Sequence, residues 1–345
     1  MFGLSKYMKL TKYYFFLVFL CSSVGVYAQQ DTSYYVSYVT KLTTRFYISR
    51  KFTTIKLLGL GSEYKINYRP NTTWNIGFGL TYKWATINLA YGFGFLNPDL
   101  GQGKTKYLDL QFHNYGEKYV LDVLGQFYKG FYLSPKDNAG IPHQYYVRKD
   151  MGVNLVGISL HYVFNNKRFS YRSSYFQNEW QKKSAGTFLL GVETYIGSIK
   201  TDSSIVPQNI NTHEASRNIT SYRFFEMGPN AGYAYTFVFK KNFFITASGA
   251  ISIATGINNV TSIDGNKNYY GVFPNTIFRF ATGYNSKKWA ISLVYINSAV
   301  HLANSADEKN ITINTSNVRL NFVRRFSLNK KFKKILKPMN SIQMP

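Results

Sequence analysis

Asp109, Gln111 and His113 alternate along "KTKYLDLQFHNY", and Asp122 and Gln126 alternate along "VLDVLGQFYKG" a few residues later. A histidine beside carboxylates can bind a polar ligand or move a proton once neighbouring charges and burial shift its pKa. If "YGEK" (115–118) turns the chain, Gln111 faces Asp122 across two strands and Asp109 lies diagonally beside them. His161, Glu193, Arg279, Arg319, Asn321 and Arg325 occupy the same alternate phase of later segments. The candidate site is thus a polar cluster of Asp109, Gln111, His113, Asp122, Glu193, Arg279, Arg319 and Arg325. The plainer reading is a self-neutralising network in which the acids meet Arg279 and Arg319, because an unpaired enclosed charge is expensive.

Other chemistries find less support. "GISLH" puts Ser159 and His161 on one strand face. A serine nucleophile needs its base within ~3 Å and a third group to orient that base. Residues i and i+2 of a strand stand ~6.5–7 Å apart, so no hydrolase site is expected. The chain has 5 His and 1 Cys, and the histidines lack the spacing of a metal-ligand set. "GLGSEYK" and the "GFGF" repeats precede no helix, so they are not dinucleotide fingerprints. No catalytic residue, metal or cofactor is expected.

The elements that carry these residues show a repeated two-residue period. In "TTWNIGFGLTYKWATINLAYGFGF" (72–95), Trp74, Ile76, Phe78 and Leu80 alternate with Thr73, Asn75, Gly77 and Gly79. The pattern restarts with Ile87, Leu89, Tyr91 and Phe93 against Asn88, Ala90, Gly92 and Gly94. It recurs over 107–113, 121–128, 156–164, 188–196, 233–239, 242–257, 273–285, 288–302 and 311–326. Alternation over about ten residues, many times over, is the pattern of a transmembrane barrel. Soluble strands average only ~5–6 residues. Aromatics reach 18% of the 345 residues, more ring area than a soluble core uses. Small residues on the other face leave room for water, a ligand or an inserted segment, unless they only permit strong coiling.

Residues 1–28 read as a signal peptide, with Lys6, Lys9 and Lys12 before "YYFFLVFL" and "VYAQ" at the cleavage site. Short connections at 82–84, 115–118, 240–242 and 285–288 alternate with long ones at 97–104, 134–150, 200–221, 258–272 and 303–310. Periplasmic turns and extracellular loops alternate in this way. Segment 166–186 breaks the rule and is expected as a long periplasmic excursion. The formal net charge of +25 concentrates at the short turns (Lys83, Lys118, Lys240, Lys241, Lys287, Lys288) and in the tail "RRFSLNKKFKKILK". Basic residues there meet anionic head groups. An exported chain with its basic residues spread over turns does not point to nucleic acid.

"YRPNTTWNIGFGLTYKW" (68–84), "NLAYGFGFLNPD" (88–99), "GKTKYLDLQFHNYGEKY" (103–119) and "GQFYKGFYL" (125–133) resemble the family designated domain of unknown function 4421. That resemblance implies an outer-membrane β-barrel protein of Bacteroidetes. The family carries no established activity, so no site residue follows from it.

The expected fold is all-β, an antiparallel transmembrane barrel of about 12 strands, within a range of 10–14. Residues 29–60 would be an N-terminal periplasmic segment, a plug or the first strand or strands. Residues 61–328 would form the barrel, starting at Glu63, and 329–345 a basic periplasmic tail. The expected function is non-enzymatic, binding or structural, with a porin-like channel for small solutes and a lipid-modifying enzyme as the alternatives. Expected partners are outer-membrane lipids with anionic head groups and a periplasmic protein, and no nucleic acid.

Overall fold

The computed structural model describes residues 31–329 apart from 59–65, 84, 138, 140–141, 211–217, 264 and 305–308. The expected signal peptide, Glu63, Trp84 and all but the first residue of the basic tail lie outside the described residues. The strands are β1 (Tyr35–Ser37), β2 (Leu42–Leu58), β3 (Ile66–Arg69), β4 (Asn75–Tyr82), β5 (Ala85–Tyr91), β6 (Lys106–Tyr115), β7 (Tyr119–Leu133) and β8 (Val147–Val163). Then come the short helix α1 (Tyr171–Tyr175), β9 (Glu179–Gln181), β10 (Ala185–Lys200), β11 (Ile219–Phe239), β12 (Phe243–Ser252) and β13 (Ala254–Ser262). The last are β14 (Gly265–Phe273), β15 (Thr276–Asn285), β16 (Trp289–Asn304) and β17 (Lys309–Phe326).

Antiparallel neighbours close a barrel of 10 strands in the order β10, β8, β7, β3, β2, β17, β16, β15, β12, β11, with β11 returning to β10. β2 and β17 close it along their whole lengths, from Leu42↔Phe326 to Leu58↔Asn310. The β4–β5 hairpin, β6 and the β13–β14 hairpin stand outside this ring. The expected number of strands is therefore close, but two details of the expected path change. Residues 42–58, which could have been plug or strand, are strand β2. Residues 258–272 are not an irregular loop, because the part of β11 before Pro229 pairs with β13, which pairs with β14.

Outward side chains form an apolar belt. Phe78, Leu89, Phe112, Ile158, Phe188, Phe237, Ile245, Phe278, Leu293 and Phe322 are all exposed. A continuous patch of this extent on a water-facing protein would drive association, whereas acyl chains make it the stable outside of a transmembrane barrel. No helix among the described residues is long and apolar enough to cross a membrane. Several strands are much longer than the ~9–11 residues a crossing needs, because beyond the belt they reverse their polarity. On β2 the inward residues Arg45, Tyr47, Ser49, Lys51 and Thr53 give way to Ile55 and Leu57.

The interior is consequently layered. At the end carrying the long connections, Ile55, Leu57, Phe131, Leu133, Met151, Val153, Ile199, Val300 and Ile311 make one apolar core. Ile205, Val206 and Ile210 from the connection after β10 fold into it. The Tyr68 hydroxyl donates to Ile205 O (2.7 Å), and Arg148 Nη1 donates to Ser204 O (2.7 Å). The middle layer is polar.

At the end with the short turns, the segment expected as a periplasmic excursion folds back into the barrel. Phe169, Tyr171 and Tyr175 pack there with Val163, Leu189, Phe244 and Val294. This segment fills the turn end, while residues 42–58 are in the wall. Its aromatic side chains need burial, and its polar ones match the inward Ser and Thr rows. Tyr171 Oη meets Ser248 Oγ (2.7 Å) and Ser174 Oγ meets Thr246 Oγ1 (2.7 Å). Ser170 caps α1 by accepting from Ser173 N (3.1 Å). β1 and β9 pair as a separate two-stranded ribbon beside the plug.

Candidate functional site

The polar layer is built where inward positions of β2, β6, β7, β15 and β17 meet. The turn between β6 and β7 is tighter than expected. Tyr115 stays in the strand opposite Val120, packed against Tyr171 and Phe176, and Gly116 N donates to Tyr119 O. The register therefore shifts by two, so Asp122 faces His113 rather than Gln111, and Asp109 faces Gln126.

Asp122 is the centre of one cluster. Its Oδ1 lies 2.5 Å from His113 Nδ1, and its Oδ2 accepts from Arg279 Nη2. Asp109 centres a second, accepting from Tyr128 Oη (2.6 Å), Gln126 Nε2 (3.1 Å) and Lys51 Nζ (3.5 Å). Gln126 Oε1 in turn accepts from Thr53 Oγ1 (3.0 Å) and Thr315 Oγ1 (2.8 Å). Gln111 Oε1 accepts from Asn317 Nδ2 (3.1 Å). Asp122 and Asp109 are thus each paired with a basic side chain, as the cost of isolated interior charge favours.

The remaining predicted residues do not join them. Glu193 accepts from Ser252 Oγ (2.6 Å) and Asn230 Nδ2 (3.3 Å) in a separate pocket of the wall. Arg325 belongs to the plug. It donates from Nε to Gln177 O (2.7 Å), from Nη2 to Asn285 Oδ1 (2.7 Å) and from Nη1 to Ser286 O. Arg319 pairs with no acid among the described residues. Its guanidinium lies over the Tyr47 ring, 4.5 Å from the centroid, with Nε unpartnered.

Lys51, Arg45 and Tyr128 were missed. Lys51 and Arg45 lie in 42–58, where the alternation Arg45, Tyr47, Ser49, Lys51, Thr53 was legible but interrupted on the outward side by Arg50 and Lys56. Glu226 was missed too; it accepts from Asn275 Nδ2 (3.0 Å). The small residues do not leave a clear bore. A Cβ on Gly77 would strike the Tyr47 ring, and one on Gly157 the Tyr195 ring.

Ser159 and His161 approach more closely than strand spacing suggests, with Oγ 3.4 Å from Nδ1. Both are buried, and His161 Nε2 has no partner. Asp122 stands directly across from Ser159, but its carboxylate is held by His113 and Arg279. The orienting third group that a nucleophile pair needs is committed elsewhere. No group of three or more His, Cys, Asp or Glu among the described residues is placed to hold a metal ion.

The wall beside this layer is open. β4 pairs with β2 and β5 with β4, while β6 pairs with β7, so the facing edges of β5 and β6 share no ladder. The split begins at Pro70, which cannot donate to a ladder. β3 before it bridges β2 to β7, and β4 after it pairs with β2 and β5 and not with β7. Near the long-connection end the gap is pinned by Thr73 Oγ1 on Tyr107 Oη (2.7 Å) and by Asn71 N donating to Thr105 Oγ1 (2.8 Å). Below the pins lies a slot of about 770 Å³. Inward groups line its floor (Tyr47, Lys51, Asp109, Arg319), and the outward residues Leu110, Phe112, Phe127 and Val156 line its mouth. A smaller cavity of about 40 Å³ lies beside Asp122 and Arg279 and shares Gln111 and His113 with the slot.

A family model described as domain of unknown function DUF4421 matches residues 29–326. The chain belongs to this family. No curated protein matches it. Solved structures similar to this DUF4421 member include the outer membrane protease OmpT from Escherichia coli, with 9% identity, TM-score 0.39, and coverage of 83% of this chain and 97% of that one. The toluene transporter TodX of Pseudomonas putida has 7% identity and TM-score 0.21 over 84% and 90% of the two chains. An outer membrane channel of Pseudomonas putida F1 has 11% identity and TM-score 0.24 over 88% and 98%.

Proposed function

We propose that this protein is an integral outer-membrane barrel of the binding or structural class, non-enzymatic and without a through-route along its axis. The observation that carries this reading is the filling of both ends of the lumen. An apolar core closes the long-connection end, and the docked 166–184 segment closes the turn end. Solutes crossing the barrel would have to displace aromatic side chains at one end and a hydrogen-bonded segment at the other. The exposed lysines at 240–241 and 287–288 support a periplasmic placement of the short turns, beside anionic lipid head groups. The same basic turns offer a face for a periplasmic protein.

Conductance of the purified full chain in planar bilayers tests the reading. A flat trace is expected, and stable single-channel steps from the wild type would overturn it. Sidedness is tested by whole-cell labelling of Asp264→Cys and Lys287→Cys. Only the former should react with an impermeant maleimide, and equal reaction of both would reverse or cancel the assignment.

A further inference from the structure

The slot between β5 and β6 opens to the side rather than along the axis. Its mouth is flanked by apolar residues of the lipid-facing belt, Leu110 and Phe112 among them, while its floor belongs to the polar layer. Two features make an acyl chain alone an unsuitable occupant. Within hydrocarbon an open sheet edge leaves backbone N–H and C=O groups without partners, which is costly. On β5, Leu89 O is met by the Tyr47 hydroxyl (3.2 Å), but no ladder serves the rest of the facing edges.

The second feature is charge. The floor carries Lys51 and Arg319 against one carboxylate, Asp109, and Lys51 takes that carboxylate. Arg319 has no counter-ion among the described residues, and its Nε is buried without a partner. Arg45, two positions before Tyr47 on β2, is also without an acid among the described residues and reaches the slot through Asn88 (Nη1 to Oδ1, 3.3 Å). A guanidinium enclosed without an anion is a costly arrangement, and a planar fork of donors suits phosphate.

We propose that the slot binds an anionic phospholipid taken laterally from the bilayer. Its phosphate sits on Arg319, its head-group oxygens and hydroxyls meet the open β5 and β6 edges, and its chains leave past Leu110 and Phe112 into the membrane. The proposal rests on the membrane-barrel reading above and deepens it by naming a ligand class and its site.

The test uses the full chain in phosphatidylcholine nanodiscs doped with phosphatidylglycerol that carries a diazirine on one acyl chain. Adducts are mapped by peptide mass spectrometry. They are expected to concentrate on residues 86–91 and 106–127, and phosphatidylcholine with the same diazirine should label the outer belt evenly. Arg319→Gln should lower the phosphatidylglycerol enrichment about tenfold, the loss expected for one charged hydrogen-bonding contact. If Arg319→Gln does not migrate as a folded barrel, Asn88→Trp, which fills the slot from β5, should give the same loss.

Equal labelling by both lipids, or enrichment unchanged in the folded variants, would overturn the site. Abolition of the enrichment by excess inorganic phosphate would show a free-anion site and overturn the lipid assignment. Even labelling by a barrel that stays silent in planar bilayers removes this proposal alone, whereas single-channel steps remove the reading beneath it.

Discussion

At the long-connection end the lumen is filled by the wall's own inward side chains, such as Ile55, Phe131, Met151 and Ile311. At the turn end it is filled by a separate segment that packs its aromatic rings against the wall and adds hydrogen bonds with Arg325, Ser248, Thr246 and Ser292. The first closure is inseparable from the strands that make it, so removing it means unfolding them. The second is attached at its ends to β8 and β10, and is expected to loosen while the barrel stays intact. One cylinder therefore carries a closure made by its wall and a closure made by a docked segment.

The largest effect is expected from Phe131→Ala, which empties a fully buried ring from the apolar core. It should cost about 3–5 kcal/mol, read as a lower midpoint for loss of the heat-resistant folded band in detergent. An unchanged midpoint would mean that this end is not a structural core.

Next, Arg325→Leu strands Gln177 O and Asn285 Oδ1 and should weaken plug docking by about 1.5–3 kcal/mol. Tryptic cleavage near Arg172 should rise while the barrel midpoint holds. A matching fall in the midpoint would erase the distinction between the two ends. Tyr171→Phe, which removes one hydrogen bond to Ser248, should give the same pattern at about 1 kcal/mol.

The smallest effect is a pH dependence of the plug. Burial raises the Glu179 carboxyl above its ordinary range, against the opposing pull of Arg172 at 3.7 Å. The folded state then holds the proton more tightly than the unfolded one. Its contribution is full below the unfolded carboxylate value and is lost as pH rises through the folded value. Tryptic access at Arg172 should grow across that rise and become flat in Glu179→Gln, with cleavage of an unstructured peptide correcting for the enzyme's own profile. Slower cleavage at higher pH would contradict the sign.

Much of the wall was readable because a strand declares itself through a local period. Phe188, Leu190 and Val192 against Gly191 and Glu193 place their side chains outward and inward with no knowledge of the neighbours, and the structure keeps those faces. The site was less readable. Gln111 was set against Asp122 on the length of a turn, and the packing of Tyr115 against the plug fixed a different register. Arg279 finds Asp122 across 157 positions of chain, a pairing that no local pattern encodes.

The alternating aromatics and small residues of this chain determined by themselves that it would be an antiparallel barrel with an apolar outside, since each strand's two faces are set by the pleat. Tertiary structure alone decided what fills the barrel. Residues 166–186 read as a periplasmic excursion until the inward rows of Ser, Thr and Arg offer partners to their polar side chains. The gap between β5 and β6 likewise appears only in the assembled wall, where β4 and β5 follow β2 while β6 follows β7.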